Sequence, residues 1–275
     1  MLTVLTGLLT SLSYATSDMF SQRVARGTRP LTQMVWVLVT GVVIIVPVAL
    51  LVDGLPQGDE WRGAGLAALA GALYFGAFFC LLHGLQVGDL GLVSALTALQ
   101  GAYVAVAVIL LGAPVTVPLA VALALCAFGA VFTSFEGRAR SARGAPWALA
   151  AGAFFAGAML CYAYGDISWL SQVAISRSVS LLITLPVALL TGSVAVPREL
   201  RVRAVGAAIL ELSGVLLLTI TFALGPPTVA GVTTTQFGTF AVILGFVLLH
   251  ERPKLNQWVG IVCTIVGVSL LAVMV

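Results

Sequence analysis

The sequence predicts an all-α membrane protein, with ten transmembrane helices arranged as two inverted five-helix repeats. Three observations carry that expectation. First, 60% of the 275 residues are hydrophobic and only 8% are charged, against about 25% charged in soluble domains. So few charges cannot coat a soluble surface, and the bilayer must solvate most of the chain. Second, the chain is written twice. Residues 33–51 (QMVWVLVTGVVIIVPVALL) return as residues 172–190 (QVAISRSVSLLITLPVALL), matching Gln33 to Gln172 and Pro47 to Pro186. Third, Arg and Lys gather in alternate connections, as expected of cytoplasmic loops.

Taken in order, each span needs roughly 20 apolar residues, bounded by Pro, Gly or charge clusters. Span 1 covers 2–23 and carries Tyr14-Ala15-Thr16-Ser17-Asp18. Its start lacks a basic n-region and a small-residue cleavage site, so it reads as a span rather than a cleaved signal peptide. Span 2 (31–52) contains Trp36 and Pro47, and the acidic loop Asp53–Arg62 follows it. Span 3 (64–86) holds Tyr74, His83 and Gln86, and the short Gly88-Asp89 link forces span 4 (90–111) to run antiparallel. Span 5 (116–136) closes the first repeat, 1–137, and a basic loop over 138–144 leads to the second repeat, 145–275. Span 6 (146–165) ends on Tyr162-Ala163-Tyr164-Gly165-Asp166, an echo of the span 1 element. Span 7 (168–191) holds Arg177 and Pro186, and span 8 (203–224) holds Glu211. Gly225-Pro226-Pro227 turns the chain into span 9 (228–249), and span 10 covers 255–274. Gly88, Gly101 and Gly129 find counterparts in Gly225, Gly238 and Gly267.

Five helices per repeat send the second half into the membrane from the opposite side, so the repeat is inverted. Basic residues cluster at Arg23, Arg26 and Arg29; at Arg138, Arg140 and Arg143; at Arg198, Arg201 and Arg203; and at Arg252 and Lys254. All four loops fall on one side of a ten-span chain, with Arg62 alone on the other. The positive-inside rule then places both termini outside the cytoplasm, in a multi-pass protein of the cytoplasmic (inner) membrane.

Cys80, Cys126, Cys161 and Cys263 all lie in apolar runs without CxxC spacing and read as small hydrophobes. The chain has no G-x-S-x-G, H-E-x-x-H or Walker loop. The expectation is therefore no catalysis, no cofactor, no metal and no nucleic-acid partner; the partners are the lipid bilayer, a small-molecule substrate and protons. The oligomeric state is not legible.

Ala223-Leu224-Gly225 before span 9, His250-Glu251-Arg252-Pro253 closing it, and Gln257-Trp258-Val259-Gly260-Ile261 with Gly267-Val268 in span 10 form a pattern. On these residues the chain resembles the drug/metabolite transporter superfamily, in particular the ten-helix proteins built of two EamA-type repeats. Ser13–Asp18 stands where that family has a Trp-Gly-containing element, and Gly112-Ala113-Pro114 replaces the Gly-Glu-Arg element that closes span 4. The resemblance implies transport of small metabolites, with spans 1–4 and 6–9 around a cavity and spans 5 and 10 peripheral.

An ionisable side chain at the bilayer centre costs at least about 2.5–3.5 kcal/mol, so such residues pair or line cavities. Arg177 and Glu211 reach comparable depth from opposite directions in consecutive helices, and two roles are open to them, a structural pair or a substrate site. Asp18 shares a helical face with Ser17 and Ser21. It is read as a proton-coupling group or as an interfacial Asp near Arg23 or Arg177. Thr234 and Gln236 in span 9, and Thr97 with Gln100 in span 4, are pseudo-symmetric polar positions that need partners or a wet cavity. Tyr14, Trp36 and Tyr103 are candidate pocket aromatics, while Trp61, Trp147, Trp169 and Trp258 fit the interfacial belt. Gly231, Gly238 and Gly245 form a seam for close helix approach, and Pro47 and Pro186 are candidate kinks.

A hydrophobic chain of two similar halves is the pattern of a secondary transporter. The functional expectation is alternating-access transport of a small amino-acid-like metabolite (neutral, zwitterionic or cationic), with export as the direction and protons as the coupling ion. The alternatives are an organic-cation or drug exporter and, from another class, a non-transporting partner subunit or lipid scramblase.

Overall fold

A computed structural model describes residues 1–25, 28–87, 96–112, 115–134, 142–249 and 254–274. Some side chains within its helices, Asp18 among them, fall outside the description, as do Arg26, Arg138, Arg140, Arg252 and the stretch 250–253. Among the described residues the secondary structure is helical. The helices are α1 (Leu2–Ala25), α2 (Pro30–Val52), α3 (Glu60–Val87), α4 (Gln100–Leu110), α5 (Val117–Ser134) and α6 (Ala145–Ala163). After these come α7 (Trp169–Leu190), α8 (Arg198–Leu224), α9 (Pro227–Thr233), α10 (Phe237–Leu249) and α11 (Leu255–Met274). Five stretches within them are long and apolar enough to cross a membrane: Leu31–Val52, Glu60–Leu81, Ala145–Ala163, Trp169–Leu190 and Arg198–Leu224. Their outward residues, such as Leu51, Leu182 and Leu190, are large, apolar and exposed, a surface suited to lipid rather than water.

Local chemistry explains the element ends. Pro30 and Pro227 open α2 and α9, where a missing N–H costs nothing. Ser168 caps α7 by accepting from the Leu170 amide at 3.2 Å. Helices α2 and α7 stop alike, on Gly54 (φ 77°) and Gly192 (φ 65°), left-handed conformations that favour glycine. Hydroxyls inside the helices donate to carbonyls one turn back, as Thr184 does to Ser180 (2.7 Å) and Thr221 to Leu217 (2.6 Å). Such bonds satisfy polar side chains where water is scarce.

Helix packing follows the repeat. α1 packs on α8 as α6 packs on α3, and α3 packs on α7 as α2 packs on α8. α2 meets α7, α4 meets α9, and α5 meets α11. Each pairing is returned when α1–α5 are exchanged with α6, α7, α8, α9–α10 and α11. One crossing shows this at atomic level. A Cβ on Gly129 would lie 2.7 Å from the Thr264 amide nitrogen, and one on Gly267 would lie 2.7 Å from Cys126 Sγ. Gly129 and Cys126 are the counterparts of Gly267 and Thr264 at one offset, so the contact is its own mirror.

The predicted span 9 is two helices. α9 ends at Thr233, a turn covers 234–236, and α10 restarts at Phe237. At the turn the Thr234 amide and hydroxyl both donate to Ala230 O (3.0 and 2.7 Å), and the Thr235 hydroxyl donates to Val232 O (3.0 Å), so the threonine run is satisfied on its own backbone. The predicted span 4 is interrupted at the matching place, with Ala98-Leu99 in a turn before α4 begins at Gln100. The two interruptions cross closely: a Cβ on Gly101 would stand 2.8 Å from Gly231 O, and one on Gly231 would stand 2.6 Å from Val104 Cγ1.

Candidate functional site

Arg177 lies thirteen residues before the end of α7, and Glu211 thirteen residues after the start of α8. At about 1.5 Å per residue both sit about 20 Å from the turn that joins these helices, so the hairpin brings them level. The structure joins them: Arg177 Nη2 donates to Glu211 Oε1 at 2.5 Å. Arg177 is 2% exposed and Glu211 7%. The hydroxyl of Tyr74 from α3 donates to the same Oε1 at 2.8 Å, and the Tyr74 ring lies beneath the guanidinium, 4.5 Å from its Cζ. Phe78 and Phe155 wall the Tyr74 ring, with centroids at 5.0 and 5.8 Å. Two further tyrosines stand within electrostatic reach of Arg177, Tyr14 from α1 and Tyr162 from α6. Tyr14 lies over Gly214 of α8, where a Cβ would meet its Cε1 at 2.7 Å. Tyr162 donates to Ser176 Oγ at 2.8 Å, and Ser176 donates on to Val173 O at 3.1 Å.

A guanidinium carries five N–H donors, and this one is only partly used. Among the described residues Arg177 Nε and Nη1 have no hydrogen-bond partner, although both are buried. The tyrosine ring covers the face of the group, not its edge. An unsatisfied buried donor costs about 1–3 kcal/mol, and more when charged, so these two nitrogens are costly as they stand.

The other predicted residues are distributed as follows. Thr234 donates to Ala230 O, and Gln236 Nε2 donates to Val232 O at 3.0 Å while its Oε1 accepts from Thr264 at 3.3 Å. Both are satisfied within the α9–α10 break and its α11 neighbour. At the other break Thr97 Oγ1 and Gln100 Oε1 are buried without partners among the described residues. Tyr103 is half-buried against α6, where a Cβ on Gly152 would touch its ring at 3.1 Å. Trp36 packs with Val24, Val196 and Ala204 and donates its indole N–H to Val194 O at 3.0 Å, which ties α2 to the α7–α8 connection. Asp18 lies on α1, with its side chain outside the described residues. Asp166 is exposed and meets Arg62 at 4.0 Å, where the connection between α6 and α7 reaches the first turn of α3; Arg62, expected in a loop, is helical.

Sequence reasoning did not select Tyr74, Tyr162 or Ser176 for the site. A signal existed for two of them: Tyr162 is the echo of Tyr14, and Tyr74 is the register counterpart of Glu211. Among the described residues no group of three or more His, Cys, Asp or Glu is placed to hold a metal.

The model of the EamA-like transporter family matches residues 1–135 and again 142–273. A crystal structure of a protein 13% identical superposes with a TM-score of 0.82, covering 99% of this chain and 96% of the other, which shows a shared fold. No curated protein matches the sequence.

Proposed function

The chain belongs to the EamA-like transporter family, and on that premise we propose that it is a ten-span carrier working by alternating access. It is a multi-pass membrane transporter of the drug/metabolite type. In our reading α9 and α10 form one interrupted span, residues 90–111 form its counterpart, and the repeats are inverted across the membrane. The cargo is a small amino-acid-like metabolite, neutral, zwitterionic or cationic. It leaves the cytoplasm through the inner membrane in exchange for protons, with both chain termini outside. The observation that supports this most is the buried Arg177–Glu211–Tyr74 cluster. It occupies the interior of the helix bundle at matched depth, where ionisable groups are costly even when paired and mark candidate binding or coupling sites. The paired interruptions of spans 4 and 9 add weight, because carriers built of repeats place their sites beside broken helices at corresponding positions.

Purified protein in proteoliposomes, loaded with a broad metabolite panel, should show saturable flux of at least one compound. Neither flux nor ligand-dependent thermal stabilisation across the panel would overturn the carrier reading. Asp18→Asn or Glu211→Gln should abolish the dependence of that flux on a pH gradient. Unchanged pH-driven flux in both variants would remove the proton-site assignment.

A further inference from the structure

The seam between α2 and α7 is closed at one end and open at the other. In the register that aligns Gln33 with Gln172, Trp36 of α2 aligns with Ile175 of α7. At its own end of the seam Trp36 reaches the α7–α8 connection, packing with Val24, Val196 and Ala204 and donating to Val194 O at 3.0 Å. That connection lies down on the helices, and Ser193 is 2% exposed. At the opposite end Ile175 offers a short aliphatic chain with no N–H to hold the α2–α3 connection. Leu55, which follows Gly54 as Ser193 follows Gly192, is 70% exposed. What remains there is a groove of about 200 Å³ whose lining includes Val46, Leu50, Leu55, Ala174, Ile175 and Val179.

The chemistry of the groove selects its occupant. Its two hydroxyls are already used, Ser171 donating to Asp53 Oδ2 at 2.8 Å and Ser178 to Ala174 O at 2.7 Å. A buried water needs two to four polar partners, so an apolar chain fills this space better than water. Both helices are long and apolar enough to cross a membrane, and Leu50 and Leu51 beside the groove are exposed. The groove therefore opens on the bilayer, where the apolar chains are acyl chains. Its rim is acidic: Asp53 holds Ser171, and Asp59 and Glu60 follow in the same exposed connection. Arg62, the next basic residue, meets Asp166 instead. A carboxylate rim repels an anionic head group and attracts a cationic one. A primary ammonium suits it best, because it brings three N–H donors to oxygens that accept several bonds.

We propose that this groove holds one acyl chain of a phospholipid whose primary-ammonium head group, as in phosphatidylethanolamine, sits on Asp53. Such a lipid is bound whatever cargo the chain carries, so its test is separate from the flux assays above.

Purified full-length protein in detergent is titrated with phosphatidylethanolamine, phosphatidylcholine and phosphatidylglycerol of identical chains, and its melting is followed. Half-maximal stabilisation should need at least ~5-fold less phosphatidylethanolamine than either of the others, the effect of about one charge contact at a membrane surface. Asp53→Asn should remove that preference. Ile175→Trp copies Trp36 into the open end and should abolish the response to phosphatidylethanolamine. In the wild-type protein, phosphatidylethanolamine with a photoactivatable diazirine on its acyl chain should crosslink to peptides within 46–56 and 171–179. That readout stands even if Ile175→Trp folds poorly. An equal response to the three lipids, or no response to any, overturns the inference. So does an unchanged preference in Asp53→Asn, an unchanged response in a folded Ile175→Trp, or crosslinking spread evenly over the outer helices.

Discussion

Replacing Glu211 with Gln should damage the protein more than replacing Glu211 and Arg177 together. Glu211 Oε1 accepts from both Arg177 Nη2 at 2.5 Å and Tyr74 Oη at 2.8 Å. In Glu211→Gln the guanidinium, 2% exposed and with Nε and Nη1 lacking partners among the described residues, loses the carboxylate that balances it. Removing one member of a buried pair costs about 3–5 kcal/mol, mostly because the survivor is left as an uncompensated charge. With about 2–4 °C of melting temperature per kcal/mol for a chain of this size, the expected drop is roughly 6–20 °C. Arg177→Met/Glu211→Gln carries no charge at the site and should lose less than half as much. Arg177→Met alone falls between them, since Glu211 keeps the Tyr74 hydroxyl. The assay is thermal unfolding of the four purified proteins in one detergent, followed by loss of the monodisperse species. A Glu211→Gln protein melting within about 2 °C of wild type would refute the reasoning. So would a double variant whose loss equals the sum of the singles, because then no coupling joins the two residues.

Tyr74→Phe keeps the ring beneath Arg177 and removes only the hydroxyl bond to Glu211, so it should cost about 1.5–3 kcal/mol by the same melting assay. Gln236→Leu should lower the melting temperature, since it breaks bonds to Val232 and Thr264; Gln100→Leu, whose Oε1 has no partner among the described residues, should leave it unchanged or raise it. Gly129→Val should abolish the folded protein or its flux, because a side chain there meets the α11 backbone at 2.7–2.8 Å. A Cys placed at the C-terminus should react with a membrane-impermeant thiol reagent in intact cells; protection would reverse the proposed orientation.

How much of this was legible depended on the kind of signal each residue leaves. Arg177 and Glu211 stood out because a charge inside an apolar run has few physical explanations, and their equal distance from one connection put them at one depth. The pairing of α1 with α8 and of α6 with α3 follows the internal repeat, which a sequence displays without any structure. Tyr74 and Tyr162 were not selected because a tyrosine in an apolar helix reads equally well as core, belt or ligand; only their position against Arg177 separates these. The interruption at 234–236 was missed although the polar run Thr233-Thr234-Thr235-Gln236 marks the place, because such a run reads equally well as the polar side of one continuous span. Thr97 and Gln100 look like Thr234 and Gln236 in sequence, yet the second pair folds back on its own backbone and the first carries oxygens without partners among the described residues.

The repeat and its exceptions divide the work of the protein. Where a pseudo-two-fold axis passes, equivalent positions of the two halves meet, so a strictly duplicated sequence would set each axial residue against itself. Glu211 against a second glutamate would bring two carboxylates into contact, and like charges at that distance cannot both stay ionised. With Tyr74 as counterpart, a donor meets an acceptor at 2.8 Å instead. Arg177 has Leu38 as its counterpart, fully buried in an apolar cluster with Met34 and Tyr74, so the cation exists in one repeat only. The Gly129–Thr264 and Gly267–Cys126 crossings, by contrast, are mirror images. On the alternating-access reading the halves exchange roles when the carrier turns. Contacts that mirror one another can trade places during that exchange, and the Arg177–Glu211–Tyr74 cluster has no partner with which to trade. On the proposed mechanism the scaffold would move around a site whose chemistry stays where it is, which is the condition for one binding site to open first to one side and then to the other.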